Sequence, residues 1–117
     1  MQKNKLTKIL YKINKEIDLA EMSVFACFYF LQSDKCDISD QVSEMIRFYR
    51  QYKNMFIETK MLVMYAIIEQ MFGTYISETK KIKVIAKFIY KKIKDKTKIS
   101  YNQLFNEIKN YFKKIKT

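Results

Sequence analysis

The chain has 117 residues, a formal net charge of +11, one glycine, and no proline, tryptophan or histidine. That length suits one domain, and a hydrophobic content of 49% is enough for a packed core rather than a disordered tail. The scarcity of Gly and Pro excludes most β architectures, whose tight turns rely on them, and the lack of His removes the commonest general base and zinc ligand.

Apolar residues recur at helical spacing along nearly the whole chain. Leu6, Ile9, Leu10, Ile13 and Ile17 form a first stripe. Asp18 with Glu21 three residues on has the pattern of a capping box, flanked by Ile17 and Met22 as its staple, so residues 4–32 read as two helices or as one long bent one. Residues 19–31 are apolar almost all round, the pattern of a buried central helix. A polar loop spans 33–39. Val42, Met45, Ile46, Tyr49 and Phe56 then trace one face of a third helix, and the phase changes near Glu58 and Thr59. Met61, Leu62, Met64, Tyr65, Ile67, Ile68, Met71 and Phe72 make the next helix, with Gly73 placed as a left-handed C-cap. Ser77 or Thr79 can cap a helix over about 80–94. Ser100 and Gln103 form a second capping box, and Leu104, Phe105, Ile108, Tyr111, Phe112 and Ile115 give the last helix its face. The expectation is an all-α, single-domain bundle of five or six helices with short connections over residues 1–117. Phe25, Phe28, Tyr29, Phe30, Phe48, Phe56, Phe72 and Phe88 all sit in apolar stripes and read as core.

Charge is distributed unevenly. Residues 1–15 carry five lysines and no acid, and residues 16–44 carry seven acids against Lys35 alone. Residues 79–117 hold thirteen lysines against Asp95 and Glu107, so the whole net charge sits in the last third. The Lys, Ile, Asn, Tyr and Phe bias is that of an AT-rich genome, which explains abundance but not position. An acidic region at 16–44 and basic C-terminal helices at 79–117 can pair internally, pair between subunits as a homodimer, or serve other partners.

The sharpest pattern is a lysine row. At 100° per residue, Lys80, Lys83, Lys87, Lys91 and Lys94 fall within an arc of about 80° on a strip about 21 Å long. Lys109, Lys113 and Lys116 line one edge of the last helix. Like charges at i,i+4 cost a helix about 0.2–0.5 kcal/mol per pair, so the row is locally unfavourable and an anionic surface would relieve it. Duplex DNA offers a charge roughly every 1.7 Å of axis, and Tyr90, Tyr101 and Tyr111 are placed to stack on bases where exposed. The plain alternative is a solvated face.

Two smaller features point to protein contacts. Asp34, Asp37, Asp40 and Glu44 fail the calcium-loop pattern and favour a helix start through the helix dipole, or dock a basic patch. Arg47, Tyr49, Arg50 and Tyr52 put cations beside amphipathic rings. The longest uncharged run, residues 22–33, is too short to span a bilayer and too far from the start for an ordinary signal peptide. With no lipidation motif either, a soluble, cytoplasmic chain without a transmembrane segment is expected. Cys27 and Cys36, nine apart with no CxxC, make no zinc site and are expected to be reduced. No serine or cysteine has a candidate base and no phosphate-loop glycines occur, so an enzyme, a metal site and a cofactor are not expected. The reading is a non-catalytic binding protein whose C-terminal lysine faces engage nucleic acid or a nucleoprotein complex, as a small ribonucleoprotein subunit, mobile-element regulator or phage-type inhibitor does. The alternative is a protein-binding inhibitor, immunity protein or dimeric adaptor that meets an acidic protein surface.

Overall fold

The computed structural model describes residues 8–31, 40–50, 56–73 and 76–116. Every regular element among them is helical, so the chain forms the expected all-α bundle. Residues 8–12 are helical and end in a 3-10 turn, Asn14–Glu16. Ile17 follows in an extended conformation, φ −89° and ψ 99°, so two helical segments meet here and not one bent helix. Asp18 Oδ1 accepts from the Ala20 N–H at 2.8 Å and caps α1 (Leu19–Leu31). Glu21 does not close the predicted box; its carboxylate accepts instead from Lys92.

Four helices follow: α2 (Asp40–Arg50), α3 (Ile57–Phe72), α4 (Glu78–Ile93) and α5 (Tyr101–Lys116). Ser77 Oγ accepts from the Lys80 N–H at 3.3 Å and starts α4. The box at Ser100 forms in both directions, with Ser100 N–H donating to Gln103 Oε1 at 2.9 Å and Gln103 N–H to Ser100 Oγ at 3.2 Å. Gly73 ends α3 with the positive φ that its sequence position implies, 63°, but its ψ of −147° lies outside the left-handed helical region.

α4 is the centre of the fold. It packs on α1, α3 and α5, and its contact with α5 is the most extensive between any two helices. Ile82, Val84, Ile85, Ala86, Phe88, Ile89 and Ile93 are all buried along it. The sequence had given this place to α1, but Val24 and Phe28 on α1 are 37% and 44% exposed. A helix that is apolar all round shows no preferred side, so its pattern cannot say how much of it is covered. The assignment of eight aromatics to the core needs the same correction. Phe88 is fully buried, while Phe25, Tyr29, Phe30 and Phe72 are half-buried against the core, and Phe28, Phe48 and Phe56 are exposed. Phe56 belongs to no face of α2; it is the extended residue before α3.

Cys27 is buried and disulfide-bonded, against the expectation of a reduced thiol; Cys36 lies outside the described residues. A spacing of nine carries no pairing signal, which is why sequence misjudged it. The buried Lys60 donates its ammonium to the Asn14 carbonyl and ties α3 to the 3-10 turn. Burial lowers its pKa, with the Asp18 charge opposing. The radius of gyration, 13.8 Å, matches the roughly 13 Å of a compact globule of this length. No helix among the described residues is long and apolar enough to cross a membrane.

Candidate nucleic-acid interface

The burial of α4 decides what its surface can be. From residue 80 to residue 94 only five positions are exposed, and each is a lysine: Lys80, Lys83, Lys87, Lys91 and Lys94. None of the five pairs with a carboxylate of the described residues. The lysines beside the row are the ones that find partners. Lys81 lies 3.6 Å from Glu69, Lys92 is 2.8 Å from Glu21, and Lys96, just past α4, is 3.0 Å from Glu16. The acidic and basic regions therefore meet within one chain at Glu16 and Glu21, and no carboxylate of the described residues pairs with the row.

Aromatic rings border that row on both sides. The Lys87 ammonium lies 5.2 Å from the centroid of Tyr29 on α1 and 6.0 Å from that of Tyr101 at the start of α5. Lys91 lies 5.8 Å from the Phe25 ring on α1. Tyr101 stacks on Phe105 at 6.1 Å, and Lys109 sits 6.0 Å over Phe105. Lys87, Tyr101, Phe105 and Lys109 thus form a ladder that joins the α4 row to α5. Cations at these distances are held to the ring faces electrostatically, worth about 0.5–1 kcal/mol each at exposed sites. Sequence reasoning did not find Phe25, Tyr29 and Phe105 as neighbours of the lysines. Fifty-eight positions separate Tyr29 from Lys87, and no local spacing links them.

The predicted stacking tyrosines are only half free. Tyr90, Tyr101 and Tyr111 are half-buried and packed against the core, with Tyr90 edge-on to Tyr101 at 5.9 Å. The Tyr101 hydroxyl is buried without a hydrogen-bond partner among the described residues. Burial raises the Tyr101 pKa above the ordinary phenol value, helped by Tyr29. Burial raises that of Tyr111 too, helped by the Glu58 charge. A raised phenol pKa means the folded state holds the proton more tightly than the unfolded one. The associated stability is therefore constant below about pH 10 and is lost as pH climbs through the raised values. Spectrophotometric titration should show a late ionisation phase that Tyr101→Phe diminishes. Because that substitution removes a hydroxyl with no partner, it should also leave thermal stability unchanged or raised by up to about 1 kcal/mol. A clear loss of stability would show that the hydroxyl is bonded.

The other predicted residues are less concentrated. On α5, Lys109 and Lys113 are exposed among Asn102, Asn106 and Asn110, so this face is mixed and not uniformly basic. The Lys116 side chain lies outside the described residues. Arg47 is exposed and pairs with the exposed Glu44 at 3.1 Å, one turn along α2. Asp34, Asp37 and Tyr52, and the side chains of Asp40, Tyr49 and Arg50, lie outside the described residues. No family model matches the chain, and no curated protein and no solved structure matches it.

Proposed function

We propose that this chain is a non-catalytic binding protein whose exposed lysine row on α4, with Lys109 and Lys113 on α5, engages nucleic acid or a nucleoprotein complex. One observation carries the reading: past the exposed Glu78 and Thr79 of the first turn of α4, every exposed position from 80 to 94 is a lysine, and none of these five pairs with a carboxylate of the described residues. A merely solvated strip has no need of one charge sign, since mixed Glu and Lys would stabilise the helix by about 0.2–0.5 kcal/mol per pair. The bordering rings add a second element, because lysines interleaved with aromatic edges suit a phosphate backbone whose bases lie beside it.

The reading predicts a steep salt dependence. If three to five lysines of the row meet phosphates of a duplex, log affinity should fall with log salt at a slope of about −3 to −4.5. Fluorescence anisotropy of labelled duplex and single-stranded oligonucleotides across salt measures it. A slope near zero, or no binding at low salt, overturns the reading.

A protein-binding inhibitor or adaptor is the second reading, and the exposed rings of Phe28, Phe48 and Phe56 favour it. Pull-down with and without nuclease separates the two. Partners lost on nuclease treatment support the nucleic-acid reading, and partners that survive support the protein one.

A further inference from the structure

Just past the end of the α4 row, the first helical segment and the turn after α4 bound an open cleft of about 500 Å³, lined by Lys8, Ile9, Lys12, Lys96, Thr97 and Lys98. Four of its six lining residues are lysines, drawn from both ends of the chain. Sequence showed only that residues 1–15 are basic, and it gave no sign that they meet 96–98. Glu16 holds Lys96, with both carboxylate oxygens 3.0 Å from the ammonium. Lys8, Lys12 and Lys98 are exposed and pair with no carboxylate of the described residues. Thr97 Oγ1 accepts from the Ile99 N–H at 3.3 Å, so its own O–H remains available to donate.

We infer that this cleft is a binding site for a polyphosphate group. Lys8 and Lys12 come from the first helical segment and Lys98 from the segment after α4, all without a carboxylate partner among the described residues. An anion in the cleft between the two segments relieves their like charges together. The cleft has the size of a small-molecule site, about 300–1,000 Å³, and is much larger than one phosphate. A ligand with several linked phosphates has the length to meet lysines of both segments. Lys96 is held in register by Glu16, while Lys8, Lys12 and Lys98 supply the charge and Thr97 a neutral donor. Two sources share this chemistry: a free polyphosphate, and the triphosphate end of a nucleic-acid strand. None of the lining residues belongs to the α4 row, so the site stands or falls apart from the function proposed above.

Calorimetric titration of the full chain with inorganic tripolyphosphate tests it. The parent should bind, and the double variant Lys12→Gln/Lys98→Gln should bind at least about tenfold more weakly with an unchanged circular dichroism spectrum. Lys15→Gln/Lys114→Gln, which removes the same charge outside the cleft, should stay within about twofold of the parent. Glu16→Gln, which frees Lys96, should bind more tightly. No binding by the parent, or equal weakening in both double variants, overturns the site, since the second result means that net charge alone attracts the anion. A matched pair of oligoribonucleotides, one with a 5′-triphosphate and one with a 5′-hydroxyl, then identifies the source. A preference for the triphosphate that Lys12→Gln/Lys98→Gln abolishes supports the site with a strand end as its ligand. No preference, with tripolyphosphate binding retained, supports the site with a free polyphosphate as its ligand.

Discussion

Replacing Phe88 by alanine should destabilise the protein by about 3–5 kcal/mol, whereas Phe28→Ala, on α1 and 44% exposed, should cost less than about 1.5 kcal/mol. Phe88 is 1% exposed at the middle of the central helix, its ring edge-on to Phe25 at 5.5 Å and beneath the Lys92 ammonium at 5.4 Å. Its loss removes transfer free energy and leaves a cavity between α1 and α4 that two packed helices close only in part. Domains of this size are stable by about 5–15 kcal/mol in all, so about a fifth or more of the margin goes. At about 4 °C per kcal/mol, the melting temperature should fall by about 12–20 °C. Urea unfolding followed by circular dichroism should show a lower midpoint with the same slope, as a stability change without a change of unfolded state requires. If the two alanine variants instead rank in reverse order, the placement of α1 against α4 is wrong.

The contrast between those two phenylalanines shows where sequence reading stops. Helix boundaries were legible because local chemistry sets them. Ser100 and Gln103 bond each other across one turn, Ser77 starts α4, Asp18 starts α1, and Gly73 closes α3 with a positive φ. The face of each amphipathic helix was legible for the same reason, and Ile82, Ile85, Ala86, Ile89 and Ile93 are buried opposite the lysines. Periodicity does not say which neighbour covers a face, or whether any does. Phe28 and Phe88 both read as core in sequence, yet Phe28 is exposed and Phe88 packs edge-on to Phe25 of α1. Pairings across long separations were equally silent. Glu21 reads locally as half of a capping box and bonds Lys92 instead, 71 residues on. The lysine row itself was legible in full, while its aromatic borders and the cleft at its far end were products of tertiary packing.

Joint replacement of Lys83, Lys87 and Lys91 by glutamine should leave the fold intact and weaken nucleic-acid binding by about a hundredfold to a thousandfold at about 0.1 M salt. Glutamine is a comparable helix former, and all three positions are exposed, so the helix has no reason to melt. Stability follows from two opposed contributions. Two like-charge i,i+4 pairs vanish, a gain of about 0.2–0.5 kcal/mol each. Against this, Lys87 loses its hold on Tyr29 and Tyr101, and Lys91 its hold on Phe25, at about 0.5–1 kcal/mol per exposed cation–ring contact. The sequence alone implies a slight gain; with the rings in place the three lost contacts outweigh it, for a net loss of about 0.5–2.5 kcal/mol. Affinity is a larger effect because each lysine releases counterions from the strand. Three lost contacts flatten the slope of log affinity against log salt by about two to three units, which is two to three decades between about 1 M and 0.1 M salt. The loss should be equal for unrelated sequences, since phosphate contacts carry no base information. If the row instead docks an acidic protein, that complex weakens and the nucleic-acid slope does not move. Unchanged affinity and slope in a folded triple variant would remove the α4 row from the binding surface.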